Sequence, residues 1–182
     1  MRSAPFVVAI GVAALAALSG CGKEIGDACL NDSDCDPNGQ RDCDRSQDDG
    51  YCTIQGCDYN TCPEDSWCIR FFTGGFTNKT CNHIEEDNVP DVDDIDRDGD
   101  KVESLVDDCS LDELCSLEDL CVPRSSESRY CMATCSDNDD CRDGYECRTI
   151  ELMRAHGGEP VLEPGSVVDE SAPKFCAQQP VN

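Results

Sequence analysis

The chain has 182 residues, 17 of them cysteine, and a formal net charge of −25 at neutral pH. Such acidity repels phosphates and anionic lipid, so no nucleic acid is expected as a partner and any membrane attachment must be covalent. With 5 Phe, 4 Tyr and 1 Trp, apolar burial is poor, and disulfides must take the place of an ordinary core. The fold class expected is small and disulfide-rich: loop-dominated modules with short β-hairpins, short helical turns and little regular secondary structure.

The first segment, 1–20, carries Arg2 and then no charge from Ala4 to Leu18. It is too short and Ala-rich for a membrane span and suits a signal-peptide core. Leu18-Ser19-Gly20-Cys21 resembles the bacterial lipobox. That resemblance implies cleavage before Cys21, a diacylglycerol on its sulfur and an acylated new amine. Acyl chains contribute roughly 0.8 kcal/mol per buried CH₂, so two or three of them hold a protein on a bilayer. An ordinary secretory signal followed by an unrelated cysteine is the plainer alternative. Gly22, in place of Asp, favours the outer membrane of the cell envelope. Residues 21–26 then form a lipidated tether.

Setting Cys21 aside leaves an even sixteen: Cys29, Cys35, Cys43, Cys52, Cys57, Cys62, Cys68, Cys81, Cys109, Cys115, Cys121, Cys131, Cys135, Cys141, Cys147 and Cys176. An exported chain reaches an oxidising compartment, where these make eight disulfides. Zinc is the competing use. There is no Cys-x2-Cys pair, however, and the histidines are His83 and His156 alone. In chain order the cysteines split into four sets of four, three of which open with Cys-x5-Cys. Connectivity does not follow from spacing. The simplest expectation pairs first with third and second with fourth in each set. This gives an N-terminal cysteine-rich module at 27–83 and a C-terminal one at 109–182.

Within the first module, Tyr51-Cys52 is expected to leave the Gly50 turn as a strand. Trp67, Phe71, Phe72 and Phe76 cluster about Cys68 as a small core, or as an exposed aromatic patch for a partner. Between the modules, 84–108 has no cysteine and is strongly acidic. Asp94-x-Asp96-x-Asp98-Gly99 resembles the opening of an EF-hand calcium loop, with Asp100 offering its carbonyl. Leu105 stands where that loop wants a bidentate Glu. The segment is therefore either a solvated linker or a weak Ca²⁺ site, and the two are compatible.

In the second module, Ser110-Leu111-Asp112-Glu113 reads as a capping pattern, with a helical piece from Leu111 to Leu120. Ser136, with Asp139 three residues on, is expected to cap a short turn. Arg142-Asp143-Gly144 then turns, and Tyr145-Glu146-Cys147 leaves as a strand. From Gly157-Gly158 onward the chain reads as a long Pro- and acid-rich loop held by Cys176.

Gly50-Tyr51-Cys52-Thr53, Gly56-Cys57, Cys62-Pro63-x4-Cys68 and Asp140-Cys141-Arg142-Asp143-Gly144-Tyr145-Glu146-Cys147 resemble the cysteine-rich lipoproteins of myxobacteria and related deltaproteobacteria. The resemblance covers Cys29 to Cys147, apart from 84–108. It implies location and fold style and little about activity. No Gly-x-Ser-x-Gly, His-Glu-x-x-His or phosphate-binding loop occurs, and His83 and His156 read as surface residues. The expectation is a non-enzymatic, membrane-anchored cell-envelope lipoprotein acting as a binding or structural module. Its partners would be the membrane, through the lipid, and a protein or glycan at the cell surface. The rival is a calcium-dependent surface adhesion protein.

Overall fold

The computed structural model describes residues 22–74, 79–84, 109–110, 112–164 and 166–180. The leader, Cys21, and the Asp94, Asp96, Asp98 and Asp100 loop lie outside them. The first half contains α1 (Asp32–Cys35), β1 (Asp42–Asp44), β2 (Tyr51–Thr53) and β3 (Ser66–Phe72). The second contains β4 (Glu113–Cys115), β5 (Cys121–Pro123), β6 (Glu127–Ala133), β7 (Tyr145–Arg148), α2 (Ile150–His156), β8 (Glu159–Pro160) and β9 (Phe175–Gln178).

Four disulfide knots of one design organise these short pieces. In each, an antiparallel pair sets two cysteines directly opposite one another, and each is bridged to a cysteine earlier in the chain. Cys43 faces Cys52 across β1–β2, with bridges Cys29–Cys43 and Cys35–Cys52. Cys68 faces Cys131 across β3–β6, with Cys57–Cys68 and Cys62–Cys131. Cys115 faces Cys121 across β4–β5, with Cys81–Cys115 and Cys109–Cys121. Cys147 faces Cys176 across β7–β9, with Cys135–Cys147 and Cys141–Cys176. The protein is thus disulfide-rich and loop-dominated, as its composition implied.

The first-to-third, second-to-fourth rule holds in every knot, but two of the expected sets exchange a member. Cys81 opens the third knot and Cys131 closes the second. Bridges expected as Cys62–Cys81 and Cys115–Cys131 are instead Cys62–Cys131 and Cys81–Cys115. The reason is β3. Its Trp, Ile and Phe side chains favour a half-buried strand, and its partner is β6, in register over seven residues from Ser66↔Ala133 to Phe72↔Glu127. The second knot therefore closes only after the third has been inserted. The expected N-terminal and C-terminal modules are not separate bodies: they share two bridges and a sheet. Cys81 and Cys109, which flank the acidic 84–108 segment, lie in one sulfur cluster; residues 85–108 of that segment are outside the described residues.

The central apolar cluster draws on all four knots. Tyr51, Ile69, Leu117, Met132, Tyr145, Met153, Val168, Phe175 and Ala177 pack together, with Ile69 and Phe175 fully buried. Burying each large member is worth about 1.5–3 kcal/mol, so the knots clamp a small common core. β8 joins the free edge of β3, where Pro160 need not donate to a ladder. Two glycines permit close approaches. A Cβ on Gly50 (φ +68) would lie 2.1 Å from the Cys29 carbonyl oxygen, and one on Gly158 (φ +83) would lie 2.6 Å from the Phe71 ring.

Several local expectations change. Ser110 N–H does donate to the Glu113 carboxylate at 3.1 Å, yet Glu113–Cys115 is a strand. Pairing with Cys121–Pro123 and the bridge to Cys81 override the capping pattern. Near residue 138 the cap is Asp137 rather than Ser136. Asp137 accepts from Asp139 N–H at 2.9 Å, and the Asp140 carboxylate accepts from Ser136 N–H at 2.7 Å. The C-terminal stretch is held by far more than Cys176. It forms β8 and β9 and buries Val161 and Val168. Residues 22–26 are bound to the first knot instead of forming a free tether. Lys23 N–H donates to Asp34 O at 3.4 Å, Gly26 N–H to Cys52 O at 2.9 Å, and Ile25 packs on the central cluster.

Candidate functional site

The loop 57–68 is closed by Cys57–Cys68 and fastened to β6 by Cys62–Cys131. Within it, Ser66 N–H and the Ser66 hydroxyl both donate to the Pro63 carbonyl, at 3.2 and 2.8 Å. Thr134 donates twice to the Asp65 carbonyl, from N–H at 2.9 Å and Oγ1 at 3.1 Å. This loop forms a ridge with a cavity on either side, and both cavities share Pro63, Glu64, Asp65 and Thr134.

The larger cavity, about 720 Å³, lies between the ridge, residues 24–28 and the start of β7. At its wall Tyr51 and Tyr145 stack with ring centroids 5.6 Å apart. Arg142 spans them, its guanidinium carbon 4.0 Å from the Tyr145 ring centre and 5.4 Å from that of Tyr51. Arg142 Nη2 donates to Asp48 O at 3.0 Å, to Gly50 O at 2.6 Å and to the Tyr145 hydroxyl. Its Nε and Nη1 are buried without a hydrogen-bond partner, and the two ring faces compensate them in part. Tyr51 Oη accepts from Ala133 N–H at 2.9 Å and donates to Cys176 O at 3.3 Å. Burial pushes both tyrosine hydroxyls up, so they stay neutral. The turn signals Gly50-Tyr51 and Gly144-Tyr145 therefore meet face to face, a junction that no local pattern announces.

The smaller cavity, about 370 Å³, is lined by Trp67, Asn60, Glu64, Asp65 and Thr134 among others. Tyr59 packs edge-on against Trp67 with ring centroids 6.4 Å apart. Trp67 Nε1 donates to Val161 O at 3.1 Å, which fixes the indole. The rest of the aromatic run is used elsewhere. Phe71 packs on Tyr130 and Phe175, and Phe72 lies under Arg70. Phe76 is outside the described residues.

The histidines sit in ion-pair clusters. His83 is buried, against expectation, because its Nδ1 meets Asp119 Oδ1 at 2.6 Å while Arg154 Nη2 lies 3.3 Å from Nε2. Burial pushes the Asp119 carboxyl up, but the hydrogen bonds from His83 outweigh it and hold it below the usual range. His156 Nδ1 meets the buried Glu146 at 2.6 Å, and Arg148 Nε donates to the same oxygen at 3.2 Å. Arg148 also donates to the carbonyls of His156, Gly157 and Gln178, tying β7, α2 and β9 together. Sulfur triplets such as Cys29, Cys35 and Cys43 lie within 4.8 Å of one another. They are bridged sulfurs, so they offer no thiolate to a metal. The lipidation cysteine, Cys21, and the calcium candidates Asp94, Asp96, Asp98 and Asp100 fall outside the described residues.

So dense a set of disulfides suits an oxidising, extracellular or envelope compartment. Among the described residues no helix is long and apolar enough to cross a membrane. No family model, curated protein or solved structure matches the chain.

Proposed function

We propose that the protein is a lipid-anchored cell-envelope module without enzymatic activity, exported, cleaved before Cys21 and held at the outer membrane. Its disulfide-stapled body presents binding surfaces to a partner. The reading keeps the likeness to myxobacterial cysteine-rich lipoproteins. The observation that supports it most is the pairing arithmetic. The sixteen cysteines after Cys21 pair completely among themselves, and of the 17 in the chain Cys21 is the one left for other chemistry. The docking of residues 22–26 adds to it. An acylated Cys21 would hold the first knot directly on the bilayer.

The test is intact mass and fractionation in the native cell. Expected is a chain beginning at Cys21 with added diacylglyceryl and acyl mass in the membrane fraction, and a soluble Cys21→Ala variant. A secreted chain with an unmodified start removes the reading.

A second reading, a calcium-dependent surface protein, is favoured by one observation. The acidic segment springs from and returns to one disulfide knot, so its ends are fixed for loop closure at low entropic cost. Asp94, Asp96, Asp98 and Asp100 would supply oxygen ligands. Calorimetric titration with Ca²⁺ tests this: absence of heat and of protease protection at Asp98 removes it.

A further inference from the structure

We infer that the smaller cavity beside Trp67 binds the cationic side chain, lysine or arginine, of a basic peptide. The inference rests on the binding-module reading above and names the ligand class for it.

The cavity walls combine one aromatic side chain, Trp67, with Asn60, Glu64, Asp65 and Thr134. Among the described residues neither the Glu64 nor the Asp65 carboxylate has a hydrogen-bond or salt-bridge partner, and both are exposed. An indole beside two uncompensated carboxylates offers the two attractions that an organic cation uses together, the ring quadrupole and opposite charge. The formal net charge of −25 draws cations toward the surface and repels anionic ligands. A volume of about 370 Å³ exceeds what a coordinated metal ion needs and suits an extended side chain. Bridges Cys57–Cys68 and Cys62–Cys131 hold the loop in place before any ligand arrives, which lowers the ordering cost of binding.

Trp67 is the one tryptophan of the chain, so its emission reports this site alone. The experiment titrates the exported, oxidised protein with trilysine amide at low salt, with a neutral disaccharide in a parallel arm. The expected result is a saturable change in Trp67 emission with trilysine and none with the disaccharide. The Glu64→Gln/Asp65→Asn variant should weaken binding by about tenfold, the effect of two partly screened carboxylates. Asn is used at 65 because that residue has a φ of +61, which Asn tolerates. The charge-matched Glu151→Gln/Glu170→Gln variant, changed at exposed positions that do not line the cavity, should bind as the parent does. Equal weakening in both variants would reduce the effect to general acidity and overturn the inference. So would an emission change with the disaccharide and none with trilysine, although the binding-module reading would then survive. No change in either arm up to about 10 mM, the weak end of specific binding, overturns it as well. The lipid on Cys21 is read separately by mass, so its presence or absence does not affect this outcome.

Discussion

The bridge Cys62–Cys131 closes the second knot around the third, so its removal tests whether the two halves are one cooperative body. Cys62→Ala/Cys131→Ala leaves no free thiol. The sequence separation is 69 residues, for which the chain-entropy relation gives about 4 kcal/mol. The path through Cys81–Cys115 shortens the effective loop to roughly forty residues, which lowers the figure by only about half a kcal/mol. Cys131 is fully buried, and losing its sulfur adds a packing cost of about 1 kcal/mol. The total, about 4–5 kcal/mol, is a large share of the 5–15 kcal/mol typical of a domain. Urea unfolding followed by Trp67 emission and by tyrosine near-ultraviolet circular dichroism reads this directly. Trp67 reports the second knot, and the Tyr51–Tyr145 stack reports the first and fourth. The two probes should move together in the parent, and the variant midpoint should fall by about 2 M for a slope near 2 kcal/mol/M. Separate transitions for the two probes in the parent, or a midpoint shift under about 0.5 M, would refute the nested architecture.

Cleavage after Arg97 should leave a single non-reduced species heavier by one water, and two fragments after reduction. Release of separate halves without reductant would contradict Cys62–Cys131 and Cys81–Cys115. Arg142→Lys removes the stack on two tyrosines and part of the contact with the Asp48 and Gly50 carbonyls, and should cost about 1–3 kcal/mol by thermal or urea unfolding. Backbone N–H groups of Leu30 and Ser136 donate to Asp34 and Asp140 and hold both carboxyls below the ordinary 3.8. A depressed folded value means that this stabilisation is present above about pH 4 and fades as pH falls below it. Midpoints measured from pH 7 to pH 2 should fall more steeply in the parent than in Asp34→Asn/Asp140→Asn.

How much of this was legible depends on range. Cys-x5-Cys spacing and the paired Asp caps are local, so the grouping into fours was legible, and the simplest pairing within each group, which spacing alone does not establish, agrees with six of the eight bridges. The exchange of Cys81 with Cys131 was hidden because Cys109-x5-Cys115 looks like an opening pair. Cys109 is in fact the second member of a knot that opens 28 positions earlier. The β3–β6 pairing that decides the matter spans the inserted third knot, and no local periodicity encodes such a partner. α2 carries its own signals, a run of good helix formers with Gly157 as C-cap at φ +79, and it ends before the stretch that reads as a Pro-rich loop. Trp67 was visible as an aromatic, whereas its cavity exists only once Cys62 and Thr134 are brought beside it.

Each knot closes itself with two bridges and one strand pair, so it needs little apolar support and tolerates long excursions. The third knot carries its excursion between its first and second cysteines, at 82–108. The fourth carries one between its third and fourth, and that one folds into α2 and β8. A scaffold of this kind separates stability, which resides in sulfur, from recognition, which falls to the loops and to the cavities between knots. The proposed anchor then has a geometric consequence. Residues 24–28 line the larger cavity, and they begin three residues after Cys21. That cavity, and the Trp67 site across the shared ridge, would therefore sit near the bilayer plane. A basic partner would reach them most readily by approaching along the membrane surface, where its cationic side chains are already concentrated by anionic lipid.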